Sequence, residues 1–275
     1  MRDILKKLIE LKLGFIGLVI IIILALLGAL ADFIAPYDPF KTNLSKALLP
    51  VSIEHIFGTD ELGRDIFSRI LYGARITLAI AVLSTGLGAI VGIPIGILSG
   101  YYGGKLDLVV QRFIDIMLSI PGIILALALV AVLGTGMKNI VISVGIYFIP
   151  IYVRIARGST LQIRDMDYIL IAKQLGLSEI YIMFKHILPN ISAPLIAQTT
   201  LNMGIAILFA SGLGFLGLGV PPPAPEWGTM LGTGKEYIFY DPYPTLFPGL
   251  FIFLSVLAFN LLGDTLQEIL ARRYI

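Results

Sequence analysis

Six stretches of this chain are apolar and long enough to lie in hydrocarbon, and no other feature restricts its fold as tightly. A bilayer core of about 30 Å is crossed by roughly 20 residues of helix. Residues 13–31 and 78–98 carry no charge and meet that length. Residues 116–133 are slightly shorter and contain Pro121. Residues 140–153 reach the length only by running on through Ile155 and Ala156, which puts Arg154 at an end or on an interior face. Residues 191–220 exceed it and include Gln198, Asn202 and Ser211, and residues 247–263 close the set with Asn260 inside. Backbone in lipid must satisfy its own hydrogen bonds, so these are read as helices. No barrel-like alternation is visible. The expected fold is all-α, a polytopic membrane protein with six transmembrane helices.

Composition agrees. The chain is 57% hydrophobic and 14% charged, against about 25% charged in a soluble domain. Apolar residues are spread along the whole 275-residue chain, which reads as one membrane domain. A net charge of +2 gives no reason to expect nucleic acid as a partner. There is no cysteine, and His55 and His186 lie far apart, so neither a metal site nor a cofactor is expected. The same scarcity ranks an intramembrane enzyme last, because catalysis needs a convergent nucleophile and base or metal ligands. No span centre carries a charge, which argues against a proton-coupled carrier. A secondary active transporter is the main rival to the reading developed below, but no convincing internal repeat supports it.

The first span needs separating from a signal peptide. Arg2, Lys6, Lys7 and Lys12 precede it, and Ala29-Leu30-Ala31 looks like a small-residue cleavage site. The apolar run is longer than a usual signal core, so it is expected to be a retained anchor. With the N-terminus inside, thirteen of the twenty Lys and Arg residues fall on the inside and seven outside. Five of those seven lie in residues 32–77, which also hold six acidic residues. Both termini are therefore expected in the cytoplasm. Pro36 to Pro39 leave the first span as an extended linker, and Pro221, Pro222 and Pro223 open the loop before the last one. In that loop Trp227, Tyr237, Tyr240 and Tyr243 are expected to anchor at the interface.

The inside segment 157–189 is the most informative. A helix is expected over 166–175, with Gly176 as a left-handed cap. Ser178 then caps a second helix, with Glu179 in its first turn. Ile180, Met183, Phe184, Ile187 and Leu188 fall on one apolar stripe, and Pro189 is expected to end that helix before the fifth span. The pair reads either as an amphipathic element on the membrane surface or as a docking element for a cytoplasmic partner.

Ala172, Lys173, Gln174, Leu175 and Gly176, followed by Ile187, Leu188, Pro189 and Asn190, resemble the cytoplasmic loop of ABC importer permeases. That family's loop carries EAA, a glycine, then I-x-L-P; here Leu170 and Ile171 stand where Glu and Ala are frequent. His55 to Asp60, Gly63-Arg64-Asp65, Ser68-Arg69, Gly73 and Arg75 resemble the C-type permease of dipeptide, oligopeptide and nickel importers. So do Phe215 to Gly219 with Pro225-Glu226-Trp227-Gly228, Phe247 to Leu250, and Leu257 to Asp264. The resemblance implies the type I ABC importer transmembrane fold. It implies a homologous second permease subunit, two cytoplasmic ATP-binding subunits, an extracytoplasmic substrate-binding protein and surrounding membrane lipid as partners, in a cell inner membrane. The cargo would be peptide or nickel. The ATPase-coupling loop would comprise Ala172, Lys173, Gln174, Leu175, Gly176, Leu188 and Pro189. It also implies an N-terminal anchor and linker over 1–71, a permease domain over 72–263, and a cytoplasmic tail over 264–275. One part follows from the residues alone: neither Gly104-Lys105-Leu106 nor Gly234-Lys235-Glu236 is a P-loop. The chain is expected to be non-catalytic, with ATP hydrolysed elsewhere.

Inside the spans, Gly88, Gly92, Gly96 and Gly100 recur every four residues, and Gly212, Gly214, Gly217 and Gly219 thin the fifth; both sets are expected to pack helices closely. Pro94, Pro121 and Pro150 are candidate kinks. Arg112 and Asp115 are expected to pair three residues apart, beside Asp107. Asn202 and Asn260 are read as pore groups or as groups for hydrogen bonds between helices, with the second preferred.

Overall fold

The structure, a computed structural model, describes residues 11–271. Arg2, Lys6, Lys7, Arg272 and Arg273, which entered the charge count, lie outside the described residues. The chain is all-α as expected, and among the described residues only an isolated bridge joins Thr59 to Asp65.

Helix α1, Lys12–Ala29, is the first span. It lies against the last helix and the next one. A Cβ at Gly17 would stand 2.6 Å from the Ala258 carbonyl oxygen, and one at Gly28 would stand 3.2 Å from the Ala74 Cβ. Its last carbonyls, which have no partner inside the helix, accept from Arg75: Nε reaches Gly28 at 2.5 Å and Nη2 reaches Ala29 at 3.0 Å. Arg75 also holds Asp32 at 2.8 Å, and that hydrogen bond lowers the Asp32 carboxyl pKa.

Helix α2, Ile66–Tyr102, is 37 residues long, or about 55 Å at 1.5 Å per residue. The expected span 78–98 is only its apolar centre. The helix starts earlier because its charged first turns are satisfied by protein. Asp65 caps it by accepting from the Ser68 N–H at 2.8 Å, and Arg69 donates to the Pro39 carbonyl at 2.8 Å. Residue 72, the expected start of the permease domain, lies inside this helix.

The expected third span is not one helix. Helices α3, Gly104–Ser119, and α4, Gly122–Leu133, meet at 89°. Pro121 causes the break by forcing the residue before it out of helical geometry, and Ile120 is extended at φ −91°, ψ 126°. Pro94 and Pro150, by contrast, lie within uninterrupted helices. Helix α5, Met137–Ile163, follows. The glycine stripe of α2 faces it as expected. Cβ atoms at Gly92 and Gly96 would stand 2.6 and 2.5 Å from the carbonyl oxygens of Ile149 and Val153. Arginines of α5 tie α3 down: Arg157 grips both oxygens of Asp107 at 2.6 and 2.7 Å, and Arg154 reaches Asp115 at 2.8 Å. The expected Arg112–Asp115 pair is replaced by this bond between helices, since Arg154 offers Asp115 a partner across the packing seam.

Helices α6, Asp167–Gln174, and α7, Glu179–Ile182, lead through a π-turn, Met183–Ile187, into α8, Leu188–Phe215. Pro189 therefore does not end the helix: residues 179–215 run as one 37-residue segment. The wider turn, with the Leu188 N–H reaching back to Met183, changes register just before a residue with no N–H to give. Pro189 then sits in the first turn of α8, where a missing donor costs nothing. Along α8, Gln198 donates to Asn202 at 2.9 Å, while Tyr152 of α5 reaches across to Thr199 at 2.9 Å.

Helix α9, Trp227–Gly234, and α10, Tyr243–Ala271, complete the fold. Trp227 is not an interfacial anchor. It is fully buried, and its indole N–H donates to the Ile70 carbonyl at 3.0 Å. Gly73 makes the room: a Cβ there would collide with the Pro225 carbonyl and the Trp227 ring. Tyr240 does remain exposed.

Candidate functional site

The α6–α7 pair lies at one end of the spans, beside the end of α2. Its turn closes as a Schellman motif. The Leu177 N–H reaches the Ala172 carbonyl at 3.2 Å, and the Gly176 N–H reaches that of Lys173 at 3.0 Å. Gly176 takes φ +76°, a conformation that side chains with a Cβ resist. No atom of the chain lies within 4 Å of where its Cβ would stand, so the glycine serves the turn and faces open space. Ser178 caps α7 by accepting from the Tyr181 N–H at 3.3 Å.

The pair is rooted by its buried side. Ile169, Ala172, Ile182, Met183 and Ile187 are buried. The expected stripe is split by the π-turn: Met183 and Ile187 point inward, whereas Ile180 is 68% and Phe184 66% exposed. Ile171, Leu175, Leu177 and Tyr181 are exposed as well.

Of the residues singled out in the sequence, Ala172, Lys173, Gln174, Leu175 and Gly176 form the end of α6 and its turn. Leu188 and Pro189 lie apart from them, at the start of α8 beyond the π-turn. Sequence reasoning missed the partner that holds this loop. Four consecutive residues at the end of α2 each reach a different neighbour. Ser99 donates to Asp107 at 2.5 Å, and the Gly100 carbonyl accepts from Arg164 at 2.8 Å. The Lys173 ammonium sits 4.5 Å from the Tyr101 ring centroid, and the Tyr102 hydroxyl donates to Glu179 at 2.6 Å. Tyr102 and Glu179 are 77 residues apart, so no local pattern announces them.

A second polar knot lies at the opposite end of the spans. Asp60 accepts from Arg64 Nε at 2.6 Å, with Arg69 Nε 3.4 Å away, and the His55 ring pairs with Asp65 at 2.9 Å. These groups are buried and bind the connection after α1 to the start of α2. Burial raises the pKa of the neighbouring Glu61 carboxyl. Among the described residues, no group of His, Asp and Glu is arranged to hold a metal ion.

Long apolar helices seated on glycine, with a short helical pair at one end of them, define a multi-spanning membrane protein. Residues 92–275 match the family described as "Binding-protein-dependent transport system inner membrane component", and residues 1–50 match the N-terminal transmembrane domain of oligopeptide transport permease C. The dipeptide transport system permease protein DppC of Alkalihalophilus pseudofirmus is 43% identical over 98% of this chain and 88% of its own length. The glutathione transport system permease protein GsiD of Pectobacterium atrosepticum is 41% identical over 92% of this chain and 84% of its own. Among solved structures, the MetNI methionine ABC transporter in an inward-facing conformation shares the fold at TM-score 0.60 and 22% identity, over 74% of this chain and 95% of that one. The chain belongs to the binding-protein-dependent transport system inner membrane component family, and it is a multi-pass inner-membrane protein. The resemblance read from its motifs is borne out, as is the type I importer fold.

Proposed function

We propose that this chain is the permease subunit of an ATP-driven peptide importer and forms half of the pathway together with a homologous second permease. An extracytoplasmic binding protein delivers the peptide and two cytoplasmic ATP-binding subunits drive the cycle. The α6–α7 end and both chain termini face the cytoplasm. Residues 72–263 are the permease domain proper, with an anchor and linker before it and a short tail after it. Relatives named for dipeptide, di/tripeptide and glutathione transport favour a short peptide over nickel as cargo.

The observation that carries this reading is the α6–α7 loop, closed by its own turn, with exposed apolar side chains and open space above Gly176. Ala172, Lys173, Gln174, Leu175 and Gly176 dock in an ATPase groove, and Leu188 and Pro189 pass its movement into α8. The chain needs no ATP site of its own for this role.

The test is a pair of substitutions in the reconstituted four-subunit-type complex with its binding protein. Asn adopts the left-handed conformation far more readily than a β-branched residue. Gly176→Val is therefore expected to lose most peptide uptake per ATP hydrolysed, and Gly176→Asn to retain more of it. Unchanged coupling in Gly176→Val would falsify the docking role.

A further inference from the structure

An open cavity of about 810 Å³ lies beside the α6–α7 loop, walled by α5, α8 and the end of α10. Pockets of roughly 300–1,000 Å³ hold small organic ligands, chiefly against apolar walls with a few placed polar groups. This cavity has that make-up. Its apolar wall comes from all three helices, and its polar lining includes Ser159 and three glutamines. The glutamines come one from each helix: Gln162 from α5, Gln198 from α8 and Gln267 from α10. Among the described residues the lining contains no Asp, Glu, Lys, Arg or His.

Four primary amides from three helices line it, the fourth being Asn190 of α8, whose amide N–H donates to the His186 carbonyl at 2.6 Å. Each amide offers two N–H donors and a carbonyl acceptor, which are the groups a peptide bond complements. Gln198 is held in place from its own helix by its bond to Asn202 at 2.9 Å, leaving its carbonyl oxygen and second N–H for another partner. A peptide's sequence varies but its backbone does not. Neutral amides therefore suit many peptides, whereas a fixed charge would repel half of the charged ones and retain the rest. Passage needs binding strong enough to enter and weak enough to leave. Met166 and Tyr168, at the entry to α6, also line the cavity, so displacement of the loop reshapes the wall.

We infer that this cavity is a peptide-backbone subsite on the inner side of the transport path, in which Gln162, Gln198 and Gln267 hydrogen-bond a peptide in transit without regard to its charge. This rests on the peptide-importer reading above. Its occupant is the short peptide itself; lipid or the second permease filling the space is the competing outcome.

The experiment uses the complete complex in proteoliposomes, with three tripeptides of net charge −1, 0 and +1 that its binding protein accepts. Wild-type uptake is expected to depend on ATP and binding protein and to differ little among the three. If wild-type complex carries no peptide at all, the importer reading itself fails. Given wild-type uptake, Gln267→Glu and Gln267→Lys decide the cavity. A charge introduced beside the path disfavours a like-charged peptide, and favours an unlike-charged one, by about fivefold each relative to the neutral peptide at short range. Gln267→Glu is expected to slow the anionic peptide relative to the cationic one, and Gln267→Lys to do the reverse. Sign reversal is a readout that simple structural damage does not produce. Equal effects on all three peptides, or loss of the second permease on co-purification of both variants, overturns the subsite. A photoreactive tripeptide trapped during turnover in unsubstituted protein gives the independent check: crosslinks to α5, α8 or α10 along this wall support it, and crosslinks confined to other helices overturn it.

Discussion

Glu226 is wholly enclosed, and its environment makes a pH-dependent contribution that can be signed. Its carboxylate caps α9, accepting from the N–H groups of Gly228 and Thr229 at 2.9 and 2.8 Å and from the Thr229 hydroxyl at 3.2 Å. Burial raises its pKa, and these hydrogen bonds offset only part of that rise. A folded-state value above the unfolded one means that folding favours the protonated form. The stabilisation is therefore full below the ordinary carboxylate value and is lost as pH rises through the elevated folded value. Glu61 and Asp241, also raised by burial, contribute with the same sign. The difference between wild type and Glu226→Gln isolates the one group. Thermal midpoints of the detergent-solubilised protein are expected to fall with rising pH in wild type and to fall less steeply in Glu226→Gln. Parallel pH profiles would show that Glu226 does not titrate in this window. The sequence placed Glu226 in a block resembling a permease family, but nothing local marked it as buried. The same holds for Trp227, whose enclosure depends on Gly73, more than 150 residues earlier in the chain.

Elements are joined here mainly by what glycine leaves out. At Gly92 the first atom a side chain would meet is a backbone carbonyl oxygen of α5, 2.6 Å away, with the Tyr152 Cβ at 2.7 Å. A carbonyl inside a helix cannot swing aside, so Gly92→Ala must push α2 and α5 apart. The expected cost is about 1–3 kcal/mol, the usual range for overpacking. Gly86, on the same helix, has no atom within 4 Å of its Cβ position. Gly86→Ala is expected to be neutral or to stabilise by up to about 1 kcal/mol through helix propensity. Denaturation midpoints of the two purified variants would distinguish them, and equal effects would mean that the stripe is not the packing seam. This seam was legible because a four-residue period within an uncharged run has one geometric meaning. The Gly176 turn was legible because a cap is a local device. The breaks were less so. Pro121 was visible, but the apolar run continues through it and conceals an 89° corner. Pro189 looked like a terminator because a 3.6-residue period was assumed up to it. The π-turn changes that period, which also explains why Ile180 and Phe184 leave the buried stripe that Met183 and Ile187 keep.

Across the whole molecule, the question is how a loop outside the bilayer bears on helices within it. Helix α2 spans the full depth of the fold, at about 55 Å, and its last turn is where the α6–α7 loop is tethered. Lys173 leans on Tyr101, on one side of Gly176, and Glu179 accepts from Tyr102, on the other. The loop is thus held by two adjacent residues of a single long helix, which the glycine stripe seats on α5. Force applied at the loop reaches α2 directly through these side chains and reaches α8 through the continuous helix of residues 179–215. The two routes are separable because only one depends on the Tyr102 hydroxyl. Tyr102→Phe keeps the ring and removes the donor; Glu179→Ala removes the acceptor. In the reconstituted complex, each is expected to leave the ATP-binding subunits associated and hydrolysing while lowering the peptide carried per ATP. Because both variants break one bond, the double substitution is expected to match either single one rather than add to it. Full peptide-per-ATP yield in Tyr102→Phe would mean that this hydrogen bond carries no movement into α2, and additive losses would mean that the two side chains act through separate contacts.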